Sequence, residues 1–120
     1  MSESTETRKF CRELEAAGAM TYAAVGNMRS QSGWPDRFVQ HAFWNGWLEM
    51  KIDANKLTPL QREIGLQLEK RSVRGFCNYF VVRFFSKSKL MQIERADGGV
   101  LFLTDKRGLD FLEELSLWAG

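Results

Sequence analysis

The chain has 120 residues, 44% of them hydrophobic and 27% charged, with only two prolines; that is the make-up of one globular domain spanning 1–120, and it excludes a disordered or fibrous chain. Seventeen Lys and Arg against fifteen Asp and Glu leave a net charge of +2, so the whole-chain field attracts a polyanion weakly and nucleic acid is permitted rather than demanded. The longest apolar stretch, FCNYFVVRFF, contains an arginine and is half the roughly 20 residues of a membrane span, and the polar start MSESTETRK has no apolar run behind it; a cytoplasmic protein with no membrane partner is expected.

From Ser4 to Ala17, Phe10, Leu14 and Ala17 recur at helical spacing, and Gly18 stands where a left-handed cap would end a helix. MTYAAV (20–25) reads as a short strand, and GNMRSQSGW (26–34) as a loop that delivers the chain to Pro35 and Asp36. RFVQHAF and WLEMKI flank Asn45-Gly46, a dipeptide that favours a two-residue hairpin turn. Thr58-Pro59-Leu60-Gln61 has the form of a helix start, with Thr58 as N-cap and Gln61 closing a capping box; Leu60, Ile64 and Leu68 continue one face to about Ser72. FCNYFVVRFF is apolar on both alternating faces, as a central strand is. LMQIE and VLFL around Ala96-Asp97-Gly98-Gly99 predict a second hairpin, and Leu109, Leu112 and Leu115 a last helix ending near Trp118. The order is α-β-β-β-α-β-β-β-α, an α/β fold with a central mixed sheet flanked by helices.

Glu49 and Lys51 lie two apart in a predicted strand and so point to one face, among Trp47, Leu48, Met50 and Ile52. Taken singly, Asp36, Glu49 and Lys51 suit a surface ion-pair cluster. Converging, two carboxylates offer hard oxygen ligands to Mg²⁺, with Mn²⁺ able to substitute, and a lysine beside them adds the positive charge that phosphodiester hydrolysis uses. A strict turn at Asn45-Gly46 would defeat this, since it sets Ala42 opposite Glu49 and leaves Asp36 six residues further on, about 20 Å away. Convergence needs the reversal centred near residues 42 and 43, or a bulge; an irregular HAFWNG connection is predicted.

GWPDR (33–37), WLEMK (47–51) and LTPLQ (57–61), in this order, resemble the pattern of the PD-(D/E)XK nuclease superfamily and, within it, the VRR-NUC domain. The likeness covers roughly residues 33–82. It implies a restriction-endonuclease-like fold in which Asp36 and Glu49 ligate the metal, the backbone carbonyl of Met50 adds a ligand and Lys51 is catalytic. Gln61 also occupies a position the family keeps near its site, although the capping box accounts for it equally well. Members often carry one more metal-facing glutamate on the first helix; Glu6, which shares a face with Phe10 and Leu14, is chosen over Glu13 and over Glu3 at the helix end.

The implied activity is Mg²⁺-dependent, structure-selective DNA cleavage by a homodimer acting on branched DNA such as a Holliday junction, with no small-molecule cofactor. The alternatives are a flap, nick or single-strand nuclease of the same fold, a DNA-binding module that cuts nothing, and a partner-binding domain with an incidental acidic cluster. Arg29, Arg37, Arg71, Arg74, Arg83, Lys87 and Lys89 are the candidates for phosphate contacts, which position DNA without reading its sequence. Cys11 and Cys77 form no CxxC pair and are read as reduced thiols. The single histidine, His41, leaves both a zinc site and an HNH-type nuclease short of ligands and is read as an exposed or hydrogen-bonded ring. Trp34, Trp44 and Trp47 are expected to pack around the turn and loop, with Trp44 the one placed to be an exposed base contact.

Overall fold

A computed structural model describes residues 2–23, 33–73 and 76–120. Ser2 opens helix α1 (Glu3–Ala16): its hydroxyl accepts the N–H of Thr5 at 3.2 Å, and Glu3 and Glu6 occupy the first turn, at the positive end of the helix dipole. Gly18, with φ of +97°, turns the chain out of the helix into strand β1 (Met20–Ala23). Ala24 and Val25 of the predicted strand, and the loop that follows as far as Ser32, lie outside the described residues.

Strands β2 (Arg37–Gln40) and β3 (Asn45–Ile52) pair from Gln40 opposite Asn45 out to Arg37 opposite Leu48. The chain therefore reverses through His41–Trp44, and Asn45-Gly46 belongs to β3, not to a two-residue turn. The His41 N–H donates to the Trp44 carbonyl at 3.1 Å, and the Phe43 N–H to Nδ1 of the His41 ring at 3.0 Å. Nε2 of that ring lies 3.0 Å from the Ala17 carbonyl, so both of its nitrogens are engaged in structure. Gly46 serves close packing: a Cβ there would stand 2.4 Å from the Asn78 carbonyl oxygen and 2.5 Å from Cζ2 of Trp44. Trp44 packs in the core, as expected of the tryptophans around this turn, and is not the exposed base contact offered as the alternative; it is fully buried, and its indole N–H donates to the Cys77 carbonyl at 2.8 Å.

Helix α2 (Pro59–Lys70) starts with the predicted capping box: the Gln61 N–H donates to Thr58 Oγ1 at 3.1 Å, and the Thr58 N–H to Gln61 Oε1 at 2.9 Å. Strands β4 (Tyr79–Phe84), β5 (Met91–Glu94) and β6 (Val100–Thr104) and helix α3 (Gly108–Ala119) complete the order read from the sequence.

The six strands form one sheet in the order β1 to β6. Only β3 and β4 run parallel, joined through α2 as a parallel pair requires, and the other neighbours are antiparallel hairpins. Phe10 and Leu14 of α1 and Phe111, Leu112 and Leu115 of α3 pack on Leu48, Met50, Phe80, Val82 and Phe84. The other face, Tyr79 and Val81 with Trp47, is covered by Leu66 and Leu68 of α2. Alternate residues of β3 and β4 thus serve two cores, which is why FCNYFVVRFF carries no polar face. No described helix is long and apolar enough to cross a membrane.

Candidate active site

The 41–44 reversal fixes where Asp36 goes. With Arg37 opposite Leu48, the next residue outward on the β2 side is Asp36, and the next on β3 is Glu49. One Asp36 oxygen accepts the Met50 N–H at 2.7 Å. In an antiparallel ladder the N–H and C=O of one residue face the same neighbour, and Met50 would next face Pro35, which has no N–H to give. Continued in register, the ladder would therefore offer the Met50 carbonyl no donor on the Asp36 side of β3.

Glu49 is only 2% exposed, and its Oε1 has no hydrogen-bond partner. Burial, reinforced by Asp36 close enough to share a hydrogen bond and by the negative charge of Asp36, pushes its carboxyl up to about 10 despite the opposing charge of Lys51. Lys51, two residues on and on the same face, is 8% exposed and enters no ion pair among the described residues. A buried carboxyl with one oxygen left without a donor, beside a second acid and an amine in no ion pair, is costly for a folded chain to keep. A divalent cation would supply what this site lacks.

The first-helix acid that shares a hollow with Asp36 is Glu3, and Glu6 does not line it. Burial raises the Glu3 carboxyl, Lys51 lowers it, Asp36 raises it, and Arg83 and the Asn55 side chain lower it, so it belongs to the same electrostatic cluster. Glu6 lines a separate hollow with Lys9, Glu13 and Phe84, because three residues along a helix is about 4.5 Å of rise and a turn of the face. The Ser2 cap orders this end of the helix, and a serine followed by acids one and four residues on, Glu3 and Glu6, was the signal for it. Among the described residues no three His, Cys, Asp or Glu side chains converge into a ready-made cation cage. The donors present are the pair Asp36 and Glu49 with the Met50 carbonyl, a set that fits an ion which keeps several waters, as Mg²⁺ does.

Arg83, expected to meet phosphate, is already occupied. Its Nε lies 2.6 Å from one Glu94 oxygen and Nη2 3.3 Å from the other, while Nη1 donates to the carbonyls of Asp53 and Asn55. Gln92 donates to the same Glu94 at 2.8 Å. Arg83 stands opposite Lys51 in the parallel ladder, so this fork ties down the turn that follows Lys51. Arg71 is spent on Gln67 of its own helix, and Arg29 and Arg74 lie outside the described residues. Lys87 and Lys89 are exposed after β4, at the Lys51 end of the sheet, where Ser86 is held by Asp53. Arg37 is half-buried beside Asp36. Gln61 has its amide oxygen committed to the cap. Trp34 and Trp47 meet at 5.8 Å between ring centroids, and Cys11 and Cys77 are free thiols.

No protein-family model matches the chain, and no curated protein matches it. Among solved structures it is similar to Hjc of Archaeoglobus fulgidus, a Holliday junction resolvase from an archaeal hyperthermophile, with a TM-score of 0.59 and 15% identity over 91% of this chain and 96% of that one. At that identity the likeness establishes the fold alone: this is an α/β domain with the restriction-endonuclease-like fold.

Proposed function

We propose that the chain is a divalent-metal-dependent, structure-selective DNA endonuclease of the VRR-NUC kind that acts on branched DNA as a homodimer. One observation carries the reading: a buried Glu49 carboxyl with one oxygen left without a partner is set beside Asp36, with the Lys51 amine on the same face, at the end of a nuclease-type sheet. Asp36, Glu49 and the Met50 carbonyl would hold Mg²⁺ or Mn²⁺, which supplies Lewis acidity toward a phosphoryl oxygen and an acidified water. The Met50 N–H fixes one oxygen of Asp36, so that the other can be presented without a search through rotamers. Lys51 orients the attacking water or offsets negative charge that builds on the phosphoryl oxygens, and its burial strengthens that effect. A DNA-binding module that cuts nothing has no use for a buried glutamate kept beside a second acid and a buried lysine.

The test sets four-way junction, flap and linear duplex against the protein with and without Mg²⁺. Paired symmetric incision of the junction is expected, dependent on metal. Asp36→Ala and Lys51→Ala should each lower the cleavage rate on the order of 10²–10³-fold while junction binding persists. Undiminished cleavage by both purified variants would overturn the assignment.

A further inference from the structure

A hollow of about 400 Å³ opens beside Asp36, between the first two turns of α1 and the adjoining ends of β1 and β2; it is lined by Glu3, Ser4, Thr7, Arg8, Ala23, Asp36 and Arg37. Two arginines and two acids share this space, yet none of the four pairs with another within 4.0 Å. Of the other described arginines, Arg12 and Arg95 are exposed and likewise make no side-chain hydrogen bond or ion pair, while the remaining four are engaged within the protein. Arg62 donates to the Asp97 carbonyl, Arg71 to Gln67, Arg83 to Glu94 and Arg107 to Glu13. Arg8 and Arg37 have no hydrogen-bond or ion-pair partner among the described residues, and Arg37 is held half-buried in the fold rather than left in bulk water.

We infer that Arg8 and Arg37 form a phosphate clamp, which seats the DNA backbone next to the bond being cut. This rests on the nuclease reading and adds to it the residues that position the substrate. A guanidinium presents a planar fork of N–H donors that matches the oxygens of a phosphate, and a fork already free of internal acceptors loses no protein contact on binding. The two acids of the hollow face the cation requirement of the site, and the two arginines face its anion requirement. A phosphodiester lying in the hollow meets both, with the Asp36 and Glu49 pair at one end. Arg8 sits one turn beyond Ser4 on α1, so the same helix that brings Glu3 to the acids brings a cation to the backbone.

The experiment measures binding to a fixed-sequence four-way junction in metal-free buffer across a series of salt concentrations, for the unaltered protein, Arg8→Gln, Arg37→Gln, Arg37→Lys and Lys70→Gln. Cleavage in Mg²⁺ is followed in parallel. Each lost phosphate contact should weaken binding roughly tenfold and reduce the slope of log affinity against log salt by about 0.9. Lys70→Gln removes the same charge from the far end of α2 and should leave affinity and slope unchanged. Arg37→Lys should keep the slope while binding more weakly, because an ammonium cannot make the forked contact. Arg8 is exposed, so its variant reports on contact without a folding defect. If the unaltered protein cuts and binds while both Gln variants retain its affinity and slope, the clamp is wrong and the nuclease reading stands. If the unaltered protein neither cuts nor binds DNA, both fall together.

Discussion

Glu49 carries the largest tension at the scale of a single residue. Its carboxyl titrates near the usual carboxylate range when unfolded and at about 10 when folded, so the proton is held more tightly by the folded chain. Below the ordinary carboxylate range both states are protonated and burial does little harm. As pH rises toward 10, only the unfolded chain gives up its proton, and the metal-free protein loses stability across that window. Glu49→Gln should abolish the dependence: thermal unfolding of metal-free samples should find the variant more stable than the unaltered protein at about pH 8, with the gap closing toward about pH 5. The same proton must leave when a cation binds. Affinity for Mg²⁺ should therefore rise with pH, by up to about tenfold per unit, and calorimetry in buffers of different ionisation enthalpy should detect proton release. Asp36, Glu49 and Lys51 were legible because their spacing is dictated by the backbone. Glu3 and the occupied Arg83 were not, since no local pattern says which acid of the first helix comes to lie beside Asp36 or which acid from a neighbouring strand meets a guanidinium.

At the scale of elements, the β2–β3 reversal decides whether there is a site at all. Asn-Gly normally marks a two-residue turn because both residues tolerate positive φ. Here the glycine is needed for clearance from Asn78 and Trp44, and the turn is centred three residues earlier. The demand that two acids meet located the reversal more accurately than the dipeptide did. Gly46→Ala, harmless in an exposed turn, should destabilise the protein by about 1–3 kcal/mol or more as overpacking against backbone, read as a lowered melting temperature. The Arg83 and Glu94 fork is the second element-level device. Arg83→Met should leave Glu94 buried without its cation, lower stability, and loosen the turn after Lys51; because Lys lacks the fork, Arg83→Lys should restore charge without restoring full cleavage. Capping signals, apolar periodicity and the second hairpin were readable because each is a local property. The pairing of β4 with β3 in parallel depends on α2 returning the chain across the sheet, and only the motif likeness gave a hint of that.

At the scale of the molecule, the sheet is clad by α1 and α3 on one face and by α2 on the other, and the site collects at one end of β3 from pieces far apart in sequence. Asp36 arrives from the approach to β2, Glu49 and Lys51 from β3, and Glu3 from the start of α1. A cation joining them binds only the assembled fold, so metal in hundredfold excess over its dissociation constant should add about 2.7 kcal/mol to the stability of the whole domain. With a net charge of only +2, the proposed function requires DNA to be held by a few placed cations rather than by a general positive field.

The most direct measurement counts bound Mn²⁺ by the loss of its free-ion electron paramagnetic resonance signal on titration into the protein, Asp36→Asn and Glu49→Gln. One site per chain is expected in the unaltered protein, abolished or weakened at least tenfold in each variant while the fold persists. Equal Mn²⁺ uptake by all three proteins, or none by the unaltered one, would contradict the claim that these two carboxylates share a cation.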